Sequence, residues 1–175
     1  MNLSVAGPSD LERIVTLVND AYRGSSKSPG WTHEAGLLAG QRIDVASLRA
    51  SLRNEGSTIL VMRNGGDITG CVALQSLEDH AWYLSMLAVD PARQAGGLGR
   101  AIMAGAEKFA RERGAQRIRI SVINLRTSLI AWYERIGYER TGSVEPFPYD
   151  DSTVGTPLRG DLVLVTLVKS LRWEV

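Results

Sequence analysis

The segment Leu87–Ala115, LAVDPARQAGGLGRAIMAGAEKFARERGA, decides how the rest of the chain is read. It begins as an apolar strand end, breaks at Asp90-Pro91, and passes through a glycine-rich turn. Leu98, Ile102, Ala106 and Phe109 then recur at helical spacing, with Arg100, Glu107, Arg111 and Glu112 mostly elsewhere, and Gly114 supplies the stop. A helix start presents backbone N–H groups that lack intrahelical acceptors and carries a partial positive charge, so it suits an anion. Glycine lets a bulky ligand approach the backbone, and Arg93 and Arg100 flank the turn. From these residues two readings stay open: a cradle for phosphate or pyrophosphate, and a turn that binds nothing. Two other phosphate motifs are excluded. A P-loop needs Gly-Lys followed by Ser or Thr, and a dinucleotide fingerprint needs a small residue where Ile102 stands.

Upstream, Pro8, Ser9 and Asp10 open a helix in which Leu11, Ile14, Val15 and Val18 form one face and Gly24 ends the run. After the loop SSKSPGWTHEAG, the pattern predicts two short helices from about Glu34 to Arg53, with Leu37, Leu38, Val45, Leu48 and Leu52 apolar. Ser57–Leu77 holds two apolar runs around Asn64-Gly65-Gly66-Asp67, a hairpin signal. Ala81–Val89 is apolar at nearly every position except Ser85, as for a central strand covered on both faces. Downstream, Arg117–Ile123 alternates, with Ile118, Ile120 and Val122 on one face. Arg126–Gly137 reads as a helix with Leu129, Tyr133 and Ile136 aligned, and Tyr138–Val144 as a strand. Glu145–Gly160 reads as a long loop with three prolines, and Asp161–Leu171 as a final, largely buried strand. The order predicts a mixed α/β sheet in one domain spanning residues 1–175.

Composition narrows the function. A net charge of +1 gives no basic field to gather nucleic acid. The apolar runs are strand-sized, well short of the ~20 residues of a membrane span. The first residues lack the pattern of a signal peptide, and Cys71 stands alone, so no internal disulfide forms; a cytoplasmic protein is expected. Two histidines, His33 and His80, are too few and too far apart for a helical metal motif, and no metal is expected. Cys71 reads as a small core residue, His33 as a surface loop residue, and Trp132 as packing.

Gln94-Ala95-Gly96-Gly97-Leu98-Gly99 resembles the Gln/Arg-x-x-Gly-x-Gly/Ala signature of the GNAT acetyltransferase superfamily, following a Leu87–Pro91 strand end as that motif does. Thr127–Gly142 resembles its second motif, a helix carrying Tyr-Glu-x-x-Gly-Tyr/Phe at Tyr133–Tyr138. Ala95 stands where many members have glycine, and its N–H is retained. The spacing, the hairpin and the closing strands also fit, so the likeness covers essentially the whole chain.

The resemblance implies a GNAT-like fold: a mostly antiparallel sheet, splayed between its fourth and fifth strands and flanked by helices. It implies an N-acetyltransferase that moves an acetyl group from acetyl-CoA to a primary amine of a small molecule or protein by direct attack. The other reading is a catalytically silent acyl-CoA sensor. The backbone amides of Gln94, Ala95, Gly96, Gly97, Leu98, Gly99 and Arg100 would hold the pyrophosphate. Leu87, Ala88 and Val89 would pair with pantetheine, and a backbone N–H of Leu87 or Ala88 would face the developing oxyanion, with Asn124 a further cofactor contact. Tyr133 takes the family's position beside the departing sulfur; from periodicity alone it is a core aromatic. Trp31, Glu34, Arg42 and Asp44 would roof the acceptor, with Phe147, Tyr149 and Asp150 opposite. No base stands out; Glu34, Asp44 and Glu78 are candidates. The acceptor's identity and a homodimer stay open.

Overall fold

The computed structural model describes residues 3–24, 33–34 and 36–171. Helix α1, Leu11–Arg23, follows strand β1, Leu3–Val5, and a 3-10 turn at Pro8–Asp10. Its spacing buries Leu11, Ile14, Leu17, Val18, Ala21 and Tyr22 along one stripe. The two helices expected between Glu34 and Arg53 are corrected to one. Residues Leu38–Ala39 form a two-residue strand, β2, and only Val45–Ser51 is helical, as α2. Asp44 caps α2 by accepting the Ser47 N–H at 2.7 Å, so the helix starts there.

Strands β3 (Ser57–Asn64) and β4 (Asp67–Ser76) form the expected hairpin, joined by Gly65-Gly66 with Asn64 opposite Asp67. Strand β5 is Ala81–Val89 and helix α3 is Leu98–Arg111. Strand β6, Arg117–Ile123, leads to helix α4, Thr127–Arg135, and strand β7, Glu139–Pro146. The proline-rich stretch is not wholly loop. It contains the end of β7, a 3-10 turn at Ser152–Val154 and strand β8, Thr156–Pro157, which pairs with β2. Strand β9, Val163–Ser170, closes the chain.

Seven strands make one sheet in the order β1-β3-β4-β5-β6-β9-β7, antiparallel except where β5 meets β6. Strand β5 is central and buried along most of its length, as its apolar composition requires. Strand β9 also lies inside the sheet, but only Thr166 and Leu167 are fully buried, less than its apolar sequence suggests. Helices α1 and α2 cover one face, packing Ile14, Val18 and Leu48 on Ile59, Val61, Ile68 and Cys71. Helices α3 and α4 cover the other, packing Ile102, Met103, Ala106, Leu129 and Ile130 on Leu60, Val72, Leu84 and Ile120. Each such buried aliphatic side chain contributes about 1.5–3 kcal/mol of transfer free energy.

Helix α3 also buries Glu107, which the sequence pattern sets off the apolar face. Its carboxylate accepts both hydrogen bonds of an ion pair from Lys169 of β9, at 2.8 and 2.9 Å, and one from the Tyr138 hydroxyl at 3.3 Å. The charge is tolerated in the core because it is paired and hydrogen-bonded.

Candidate active site

The parallel pairing of β5 with β6 lasts three residues, Ala81–Tyr83 against Arg117–Arg119. Beyond Tyr83 the strands part. A bulge sharpens the divergence. Gly70 and Cys71 of β4 face Val89 and Ala88, whereas Ala73 faces Ser85, so Val72 alone opposes both Met86 and Leu87. Met86 sits at φ +52°, a left-handed backbone that a linear side chain rarely takes. A cavity of about 190 Å³ opens where the strands separate. Ser85, Met86 and Leu87 line one wall, Ile120–Ile123 the other, and Leu129 and Tyr133 of α4 reach in from behind.

The cavity roof is polar and bound together by arginines. Arg23, the last residue of α1, donates from Nη1 to Glu34 Oε2 at 2.6 Å, from Nε to the Gly40 carbonyl at 2.9 Å, and from Nη2 to the Val154 carbonyl at 2.9 Å. Arg126, just before α4, donates from Nη1 to the other Glu34 oxygen at 3.0 Å. Glu34 is 6% exposed, so this charge survives burial only because both oxygens are engaged. The Tyr22 ring lies under two guanidiniums, with Arg42 Cζ 5.6 Å and Arg126 Cζ 5.8 Å from its centroid. Burial pushes the Tyr22 phenol up to about 12, against a smaller opposing pull from Arg126 and Arg42.

Tyr133 is 6% exposed and packs edge-on to Trp132 and Tyr138, with centroids 5.0 and 5.6 Å away. Periodicity and cavity lining are thus both satisfied: the ring is a core aromatic on α4 and also borders the cavity. Burial, aided by the nearby Tyr22 phenol, raises its hydroxyl well above the ordinary 10.0. Such a group stays protonated and donates.

At the other end of the bulged strand, Asp90 accepts the Ala92 N–H at 3.0 Å and starts a 3-10 turn over Pro91–Gly96. Gly97 follows at φ +70°, ψ 12°, the left-handed geometry that reverses the chain into α3. Ala101 is the first α3 residue whose N–H returns to Gly97, at 3.1 Å. The amides before it therefore point out of the helix end. A Cβ built on Gly97 meets nothing within 4 Å, so the turn is open to a ligand. Arg100 is exposed beside it. This open turn and the strand gap at Leu87–Val89 together fit a ligand with a diphosphate and an extended arm.

Glu34 and Arg42 line the cavity, and so do Phe147 and Pro148. Asp44 does not; it is exposed and occupied as the α2 cap. Tyr149 does not line the cavity either: it is exposed, accepts the Leu162 N–H at 2.8 Å and packs edge-on to Phe147. Asp150 is exposed in the following turn. Asn124 ties the β6 end to β9: its Oδ1 accepts the Val163 N–H at 3.1 Å and its Nδ2 donates to the Asp161 carbonyl at 3.3 Å. Glu78 lies with Asp79 in the β4–β5 turn, beside a separate depression with Arg117 and Arg119. Trp31 falls outside the described residues. Cys71 is buried and its thiol is pushed up to about 12 by burial, and His33 is exposed. Among the described residues no cluster of three or more His, Cys, Asp or Glu side chains could hold a metal, and no helix is long and apolar enough to cross a membrane.

Sequence reasoning missed Tyr22, Arg23, Arg126, Tyr83 and Ser121. Tyr22 was legible in part: it stands four residues after Val18 on the buried face of α1. The arginines gave no local signal, since their carboxylate partner is 11 residues from one and 92 from the other.

Parted central strands beside a glycine-started helix are the arrangement expected from the two motifs. The chain belongs to the Acetyltransferase (GNAT) family, whose match spans residues 12–138. No curated protein matches the sequence. Solved structures share the fold. The protein smu.2055 from Streptococcus mutans UA159 superposes with a TM-score of 0.74 at 16% identity, over 98% of this chain and 100% of that one. The ribosomal-protein-S18-alanine N-acetyltransferase from Escherichia coli gives 0.70 at 17% identity, over 99% and 96%. The yncA protein from Salmonella typhimurium, solved with its cofactor acetyl-CoA, gives 0.70 at 21% identity, over 100% and 96%.

Proposed function

We propose that residues 1–175 form a single acetyl-CoA-dependent N-acetyltransferase domain that acts on a primary amine entering beneath the Glu34–Arg126 roof. The observation that carries this is the gap between β5 and β6 beyond Tyr83, with Tyr133 at its back and the open Gly97 turn at its side. When bound, the coenzyme supplies an activated thioester. The amides from Gln94 to Arg100 would hold its diphosphate at the α3 start, and the main chain at Leu87–Val89 would receive the extended arm. The backbone N–H of Leu87 or Ala88, beside the bulge, would serve the developing oxyanion.

The acceptor must attack as a neutral amine. For a lysine-like amine at pH 7 this costs about 4–5 kcal/mol if nothing lowers its pKa. Two features of the cavity reduce that cost. The Arg42 and Arg126 guanidiniums near the entrance disfavour a second positive charge. Tyr83, Ser85 and Ser121 line the gap with hydroxyls that order water and carry the proton outward. Glu34 is held by Arg23 and Arg126 through both oxygens, which makes it a positioning residue and leaves the base role to water. Tyr133, which borders the cavity, would offer its hydroxyl as a hydrogen-bond donor to the departing sulfur when the coenzyme is bound. A phenol of ordinary pKa near 10 is a weaker acid than a thiol near 8.5, and burial widens the difference, so stabilisation precedes any proton transfer.

The test supplies acetyl-CoA with a panel of amines and detects free thiol. Acceptor-dependent release is expected. Coenzyme binding that raises the melting temperature, with no thiol released from any amine, would replace this reading with a binding domain that does not turn over.

A further inference from the structure

Arg42 is placed by the fold and, among the described residues, left without a counter-charge. Its backbone is fixed by Asn19 of α1: the Arg42 N–H donates to Asn19 Oδ1 at 2.6 Å, the Ile43 N–H donates to the same oxygen at 3.3 Å, and Asn19 Nδ2 donates to the Ile43 carbonyl at 2.8 Å. Its guanidinium lies over the Tyr22 ring and lines the cavity. It forms no ion pair and no side-chain hydrogen bond among the described residues. Residues 25–32, SSKSPGWT, lie outside the described residues, and their sequence contains no acidic side chain. The Arg126 guanidinium also lies by the same ring, 5.8 Å from its centroid. Among the described residues, Glu34 is the only acidic one lining the cavity, and it is shared between Arg126 and Arg23. Arg42 therefore brings to this small, half-enclosed space a positive charge in excess, one that no carboxylate lining it among the described residues answers. A fold seldom concentrates such charge without an anion to answer it.

We propose that the acceptor is a small amine that also carries a carboxylate, bound through Arg42 and oriented by the Tyr22 face so that its amino group points toward the β5–β6 gap. This inference rests on the acetyltransferase reading and narrows it. Planar guanidinium matches carboxylate in a two-point pairing, which fixes orientation as well as position. The same excess charge works against polyamines and aminoglycosides, which bring several positive charges into the cavity.

The experiment compares matched acceptors with saturating acetyl-CoA: alanine, methionine and phenylalanine against their amides, with spermidine and kanamycin as polycationic members. Thiol release gives kcat/KM. In parallel, calorimetry measures binding of the N-acetyl amino acids and of their amides to the enzyme with coenzyme A. The free acids are expected to exceed the amides by about 10- to 100-fold in kcat/KM and in binding. Arg42→Ala should bring that ratio near unity, and Arg42→Lys should keep part of it; melting curves check that both variants are folded. Equal use of acids and amides, or preference for spermidine or kanamycin, overturns the carboxylate proposal while the acetyltransferase reading stands. A preference that survives Arg42→Ala overturns the assignment to Arg42. If no amine releases thiol although acetyl-CoA binds, the acetyltransferase reading fails. Calorimetry then judges the carboxylate site alone, and millimolar N-acetyl amino acids that bind no better than their amides overturn it.

Discussion

Arg126 Nη1 lies 3.0 Å from Glu34 Oε1, joining the residue before the Tyr133 helix to the segment after α1. The second Glu34 oxygen is 2.6 Å from Arg23 Nη1, so one carboxylate links α1, the cavity roof and the α4 start. Removing it leaves two guanidiniums facing each other in a buried place. Glu34→Ala is expected to destabilise the protein by about 3–5 kcal/mol, the usual cost of breaking a buried pair from one side. Urea unfolding should show a lower midpoint with an unchanged slope. A midpoint equal to that of the parent protein would show that the network carries no stability.

Tyr133 borders the cavity with its hydroxyl held protonated by burial. Tyr133→Phe keeps the ring packing on Trp132 and Tyr138 and removes the donor. Turnover should fall about 100-fold while the dissociation constant of acetyl-CoA changes little. Equal losses in both quantities would mean that the ring shapes the coenzyme site and does no more.

At Gly97 the backbone is left-handed, and the space around it is open. Gly97→Glu adds a side chain at a strained backbone position, costing about 1–2 kcal/mol of stability, and sets a negative charge where the diphosphate is proposed to sit. Acetyl-CoA affinity should fall at least about tenfold, or ~1.4 kcal/mol. Gly97→Asn, which tolerates this backbone and carries no charge, should retain more affinity. Parity between the two variants would locate the diphosphate elsewhere.

Asp10 accepts from Arg63 Nη2 at 2.7 Å and from the Gly7 N–H at 2.8 Å, and these bonds, the Arg63 one foremost, hold its carboxyl below the ordinary 3.8. A depressed folded pKa stabilises the protein above the unfolded value and loses that contribution as pH falls through the folded one. Asp10→Asn should therefore cost up to about 1 kcal/mol at neutral pH, since Arg63 is partly solvated, and progressively less as pH falls below the ordinary carboxylate value and through the lowered one. Unfolding free energies at several pH values check the convergence.

The sequence determined the elements whose signals are local. Helical spacing set the buried face of α1 from Leu11 to Val18, Gly65-Gly66 set the β3–β4 turn, and the Gln94–Gly99 and Tyr133–Tyr138 motifs set the family. A strong apolar period or a turn that needs glycine is written in consecutive residues, so it can be read there. Only the tertiary structure decided the rest. It decided that Leu38–Ala39 is a strand, because its partner is Thr156–Pro157 more than a hundred residues on. It decided that Glu107 is a buried partner of Lys169, and that Arg23, Arg126 and Glu34 meet over Tyr22. Charged side chains find partners by geometry across the fold, and no periodicity along the chain records which ones will meet.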